Sequence, residues 1–424
     1  MESYQNRIVN GLLKAHAAIE PDEALDKLSR EFEIVADHRR ATEDDLWPAI
    51  WALAAVLERQ FSGDIHISAG LKHALRQPAQ LSSRCHFGTA ARSRNVITIY
   101  LGRHPSSQHL NLYGDTRGAT VTYDSTLESL ERANPVGCFA LAGYLGFAAL
   151  ALAAEIPPYR KEFAAPQVSL PFESHELPKL PERGLDFIGL GHLGQAYIAL
   201  LFFLTPEISQ RPRIHLLDKD PFEDGNWSTQ ILIETQHEWI GIPKAEYLKR
   251  RAQTWGWDAA SEVKEITWGW HRSERQSELA VIGLDKFDVR RMAIAGGYSW
   301  LFDAGLGDSF LRPRISWHSI PADNVLARGL FPDDDAPRPR RQQTTTPFID
   351  LLRDTPGGCG LLTYEAIQAS APSLGLVASA FLWSEILNFL AGRKEQIQGS
   401  ATIWSPMIPP LRTRRSLQLV PRQI

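Results

Sequence analysis

Three glycines, Gly189, Gly191 and Gly194, stand at GxGxxG spacing between the apolar pair Phe187-Ile188 and an apolar stretch from Ala196 to Leu204. Glycine here lets the chain turn tightly and bring backbone N–H groups against a phosphate at a helix N-terminus. A second apolar run, Ile214 to Leu217, ends on Asp218, a carboxylate suited to ribose hydroxyls. Alone, this set suits any dinucleotide. The residues that follow narrow it: Asp220, Glu223, Asn226 and Gln230, then Gly241-Ile-Pro-Lys244. A dinucleotide site has no use for a second acid, an amide pair and a lysine just after its second strand. A site that holds a triphosphate and cuts it does. Amides and lysine can contact phosphate oxygens, and the lysine can offset charge developing on leaving pyrophosphate.

A third apolar run, Leu279 to Leu284, ends on Asp285, with Arg290 five residues on. A carboxylate at the C-terminal end of a parallel strand faces the ligand crevice, where it can hold Mg²⁺ bridging ATP phosphates. The plainer alternative is an aspartate capping the next helix. Strand, glycine turn, helix, strand, acid is a nucleotide-binding βαβ pattern. It predicts an α/β fold: a doubly wound, Rossmann-like, mostly parallel sheet with a smaller N-terminal α/β half.

The chain has 424 residues, enough for two or three domains, and 44% are hydrophobic. A net charge of -4 gives no basic field, so no nucleic-acid partner is expected. Cys85, Cys138 and Cys359 are scattered and form neither a disulfide framework nor a CxxC pair, which fits a reducing cytoplasm. The polar N-terminus does not read as a signal peptide. The most apolar stretch, Cys138 to Ile156, lacks basic flanks and reads as a buried helix pair rather than a membrane span.

The stretch from Asp186 to Lys244 resembles the ThiF/MoeB/ubiquitin-activating superfamily. The pattern there is roughly GxGxxG…DxDxVxxSNLxRQ…GxxKA, and Asp218, Asp220, Asn226, Gln230 and Lys244 match in order. The chain departs at Thr229, where the superfamily usually has a phosphate-binding arginine, and at Lys286, where it has asparagine. The resemblance implies ATP and Mg²⁺ as ligands and adenylation of a carboxylate. Gly189, Gly191, Gly194, Asp218, Asp220, Asn226, Gln230, Lys244 and Arg290 would bind nucleotide, Asp285 would hold the metal, and Lys244 and Asp285 would act in catalysis. The implied partner is a small ubiquitin-like protein presenting its C-terminal tail. Cys359, flanked by Gly358 and Gly360, would take the acyl group as a thioester and pass it to a conjugating partner. A small apolar role in a turn is equally open for Cys359. No CxxC pair precedes Leu330-Phe331-Pro332, so no structural zinc is expected.

The expected organisation is a helical segment at 1–60, a degenerate adenylation-like half at 61–165, for which an unrelated α/β domain is equally open, and a proline-rich linker at 166–183. An ATP-binding domain at 184–332, a crossover loop at 333–360 carrying Cys359, and closing helices and strands at 361–424 follow. Arg39 and Arg40 lie where relatives carry an arginine that reaches into a partner's ATP site; an ordinary surface pair is the alternative. A degenerate N-terminal half makes a monomer with an internal pseudo-dimer sufficient, and a homodimer remains open. Two alternatives accompany this reading: a ligase of the same superfamily acting on a sulfur carrier, a peptide or a tRNA-attached group, and a non-catalytic nucleotide-binding assembly partner.

Overall fold

The computed structural model describes residues 7–14, 18, 20–36, 43–67, 77–87, 96–101, 111–115, 120–122, 135–154, 180–205, 211–234, 237–274, 276–307, 313–321, 331, 370–392 and 398–402. Among them, the chain forms two sheets. The first is built from β1 (Glu31–Ala36), β2 (Ile65–Ile67), β3 (Cys85–Phe87), β4 (Val96–Leu101), β5 (Asn111–Asp115) and β6 (Thr120–Thr122), in the order β3-β2-β1-β4-β5-β6. The second is built from β7 (Leu185–Ile188), β8 (Arg213–Leu217), β9 (Asp258–Glu262), β10 (Leu279–Ile282), β11 (Trp300–Leu306), β12 (Arg314–Pro321) and β13 (Gln398–Thr402). Its order is β13-β12-β11-β10-β7-β8-β9. The winding is the same in both: two strands step to one side of the first, the next two step to the other. Five strands of each sheet run parallel, and the strand after them, β6 or β12, turns antiparallel.

The first strand of the N-terminal sheet lies inside the stretch expected to be wholly helical. In Glu31–Ala36 the burial alternates strictly, with Phe32, Ile34 and Ala36 inward, and that period of two is a strand signature. The helices around it are α1 (Arg7–Lys14), α2 (Pro21–Lys27) and α3 (Glu43–Gln60). The N-terminal sheet thus begins at residue 31, not after residue 60.

The apolar stretch expected to be a helix pair is a single helix, α4 (Pro135–Ala154), buried along its length except at Leu152. A helix apolar on every side must be covered all round. Its partner comes from the other end of the chain. After α5 (His192–Leu204), α6 (Lys244–Thr254) and α7 (Phe287–Ala295) comes α8 (Pro372–Leu390), which packs on α4. The approach is close: a Cβ on Gly143 would lie 2.6 Å from the Ser373 carbonyl oxygen and from Val377 Cγ2. Both helices are long and apolar enough to cross a membrane, and both are mostly buried within the protein. Helix α3 packs on α4, α5 packs on α8, and one hydrophobic cluster runs through all four helices between the sheets.

Candidate nucleotide site

Strand β7 is followed by the glycine turn and α5. The chain then moves to β8 on one side of β7 and returns to β10 on the other. That reversal opens a crevice at the C-terminal ends of β7 and β10, the place where ligands bind in open α/β sheets. The turn needs its glycines. Gly189 has φ 82°, and a Cβ on it would lie 2.8 Å from Leu284 Cδ2 and 2.9 Å from the Gly283 carbonyl carbon. A Cβ on Gly194 would lie 2.1 Å from the Gly189 carbonyl oxygen. Gly191, at the N-cap of α5, is different: among the described residues a Cβ there would meet nothing within 4 Å. Among the described residues nothing covers that position, and the backbone N–H groups and dipole of the first turn of α5 are suited to an anion.

Asp218 follows β8 and is 9% exposed. Its Oδ2 accepts the Leu190 N–H at 2.6 Å and its Oδ1 accepts the Asp220 N–H at 2.8 Å, so the carboxylate pins the glycine turn from below. Burial pushes the Asp218 carboxyl above the usual aspartate range; the Lys244 ammonium and the two N–H groups pull it back. Lys244 opens α6. Its backbone N–H donates to the Asp220 carbonyl at 3.0 Å and its Nζ lies 3.8 Å from Asp220 Oδ2. A bridge between Pro221 and Pro243 and the bond from the Gly241 N–H to the Phe222 carbonyl tie the two loops together. Asp218, Asp220 and Lys244 are thus gathered beside the glycine turn.

Asp285 follows β10 and is exposed. The Gly283 N–H donates to the Ile188 carbonyl at 2.8 Å, so the Asp285 turn sits against the glycine turn. No side chain caps α7, so the plainer capping role for Asp285 is not what the structure has.

Three further residues expected at the nucleotide make bonds to the protein. Asn226 Oδ1 accepts the Glu223 N–H at 3.2 Å, capping the short 3-10 turn Asp224–Ser228. Gln230 is 2% exposed, and its Oε1 accepts from Gln195 Nε2 at 2.6 Å. Arg290 is 5% exposed; its Nη1 donates to Asp303 Oδ2 at 3.0 Å and its Nε to the Leu284 carbonyl at 2.9 Å. Buried donors and acceptors must be paired, and here the protein engages the amide oxygens of Asn226 and Gln230 and the guanidinium of Arg290. Arg290 thereby braces the turn that carries Asp285. Asp303 Oδ2 also meets His318 Nδ1 at 3.0 Å. Thr229, where the resemblance expects arginine, is fully buried.

Gln195 and Arg59 carry weight that the sequence reading did not assign. Gln195 Nε2 also donates to the Leu190 carbonyl at 3.2 Å, and its Oε1 accepts the Leu232 N–H at 3.0 Å. Cys359 and the segment 332–369 lie outside the described residues, as do Arg39 and Arg40. Of the other cysteines, Cys138 is buried in α4 and Cys85 is half-buried beside Glu58, where burial and that carboxylate push its thiol up.

The strand order and the glycine turn at the sheet's reversal place the chain in the Rossmann-like α/β class. Within that class, the model of the BilD C-terminal domain family matches residues 180–393, half of the chain, and the chain belongs to that family. A protein of Collimonas sp. (strain OK412), described as a bacterial E1-like protein BilD, is 28% identical over 231 residues. That alignment covers 53% of this chain and 49% of the relative, so the chain spans about half the length of the curated relative it matches. Among solved structures, E. coli MccB with ATP is similar at 14% identity and a TM-score of 0.35, covering 55% of this chain and 64% of that one. The structure of PaaA is similar at 14% identity and a TM-score of 0.32, covering 52% and 60%.

Proposed function

We propose that the chain adenylates the C-terminal carboxylate of a peptide or small protein with ATP, and that a ubiquitin-like protein is the substrate. The observation that carries this reading is the gathering of Asp218, Asp220, Lys244 and the exposed Asp285 around the open first turn of α5. The Gly189–Gly194 turn receives the phosphates and Asp218 the ribose. The substrate carboxylate attacks the α-phosphorus, the bond to the bridging oxygen breaks, and pyrophosphate leaves. Lys244 offsets the charge that builds on that leaving group. Asp285 makes no hydrogen bond or ion pair among the described residues, so its carboxylate is available to a cation. A Mg²⁺ held there would neutralise phosphate charge. In the same reading, the Cys359 thiolate takes the acyl group from the adenylate as AMP leaves, and a conjugating partner receives it. A cytoplasmic monomer with its internal pair of sheets, or a homodimer, fits this reading.

Exchange of labelled pyrophosphate into ATP tests the proposal. Exchange that needs both a small protein with a free C-terminal carboxylate and Asp285 supports it. Tight ATP binding without exchange for any carboxylate supplied overturns it. That outcome supports the second reading, a nucleotide-binding assembly partner. The buried Thr229, its hydroxyl unpaired among the described residues, favours this alternative because no arginine stands at that position.

A further inference from the structure

Arg59 ends α3 in the N-terminal half, yet it is 1% exposed and lies against the nucleotide-site loop of the C-terminal half. A guanidinium has five N–H donors, and here all five are engaged. Two go to its own helix: Nη1 donates to the Ala55 carbonyl at 2.8 Å and to Glu58 Oε1. The other three cross over. Nε donates to the Gln230 carbonyl at 2.9 Å, and Nη2 to the Ile231 and Ile233 carbonyls at 3.1 and 2.6 Å. The Arg59 guanidinium carbon also lies 4.3 Å from the centroid of the Trp227 ring. Glu58 is itself held, its Oε2 accepting the Ser82 N–H at 2.8 Å.

The carbonyls that Arg59 gathers belong to residues 230–233, which directly follow Asn226 and Thr229. From there the hydrogen bonds continue without a break. Gln230 meets Gln195, Gln195 meets the Leu190 carbonyl, and the Leu190 N–H meets Asp218. The geometry points to Arg59 as a positioning residue for the nucleotide site: the N-terminal half supplies a buried fork that fixes the shape of the 226–233 segment and, through Gln195, of the glycine turn. Only a planar fork reaches three carbonyls on one side and two acceptors on the other; an ammonium has three donors and no plane. Arg59 is not a phosphate ligand, because its donors are spent on protein.

This inference rests on the nucleotide reading for its consequence but not for its first test. Hydrogen exchange of residues 224–234 in the ligand-free chain is followed by mass spectrometry, and Mg·ATP binding by calorimetry, for the native chain and Arg59→Lys. Lysine keeps a charge beside Glu58, so a role in charge balance alone is rescued. The expected result is a melting temperature near native with exchange in 224–234 faster by at least tenfold and ATP affinity weaker by at least tenfold. Exchange and affinity both within twofold of native overturn the inference. If Arg59→Lys does not fold, Trp227→Leu removes the ring against the guanidinium, and its expected result is exchange in 224–234 faster by about threefold; unchanged exchange in that variant overturns the inference. A native chain that binds no ATP defeats the nucleotide reading, and the exchange result still decides on Arg59.

Discussion

Helix α3 leaves β1 of the N-terminal sheet, and α5 leaves β7 of the C-terminal sheet, at the same place in the same winding. Their buried polar residues sit at opposite ends. Helix α5 carries His192 and Gln195 in its first turns, next to the glycine turn. Helix α3 carries Glu58, Arg59 and Gln60 in its last turn, and Arg59 and Gln60 reach across, Gln60 Nε2 donating to Ser373 Oγ at 2.8 Å. Helix α5 places its buried polar groups beside the crevice. Helix α3 directs Arg59 and Gln60 at the other half. A repeated fold thus yields one site and one brace, and the position of polar residues along a helix tells which is which.

The contrast is broken most severely at Arg290. Arg290→Met leaves the Asp303 carboxylate buried without its cation, and the expected loss is about 3–5 kcal/mol of stability, read from urea unfolding. A loss below about 1 kcal/mol would mean that the brace under the Asp285 turn is dispensable. Next comes Gly194→Ala. The added methyl meets the Gly189 carbonyl, and the expected cost is about 1–3 kcal/mol together with loss of ATP binding by calorimetry. Gly143→Val tests the shared helix seam instead. It is expected to cost a similar amount, about 1–3 kcal/mol, while ATP affinity in the folded fraction stays near native. Asp285→Ala sharpens the comparison from the functional side: stability within about 0.5 kcal/mol of native, with pyrophosphate exchange abolished.

The smallest effect is one of pH. Burial raises the Asp218 carboxyl in the folded state, so folding favours its protonated form. That contribution is fully present below the ordinary aspartate range and is lost as pH rises through the raised value. In Asp218→Asn the fall is absent. The slope of the urea midpoint against pH, between roughly pH 4 and roughly pH 7, is therefore expected to be more positive in the variant than in the native chain. Equal slopes would mean that the Lys244 ammonium and the two N–H groups fully offset the effect of burial.

The glycine turn was legible because its demands are local: Gly189 must have positive φ, and Gly194 must lack a Cβ. The acids were legible because they follow strand ends, and Lys244 because it follows the Gly241-Ile-Pro turn. Asn226, Gln230 and Arg290 were legible as polar positions but their bonds to the protein were not, because an amide or guanidinium that pairs with protein groups has the same spelling as one that awaits phosphate. Arg59 was invisible, since the three acceptors that give it its role lie more than 170 residues away in sequence. The strand Glu31–Ala36 did carry a local signal, its alternation, which the helical patterns on either side obscured.

The seam between α4 and α8 has a consequence during synthesis. Helix α4 is complete at Ala154, but Pro372, where its cover begins, is roughly 220 residues further on. At roughly 5–20 residues per second, the ribosome needs on the order of 10–40 s to supply it. For that interval a 20-residue helix with a mean hydropathy of 2.0 stands uncovered on its α8 side. The nascent chain is then most exposed to chaperones and to aggregation, and substitutions that slow the closing of this seam would lower yield without touching any residue of the crevice.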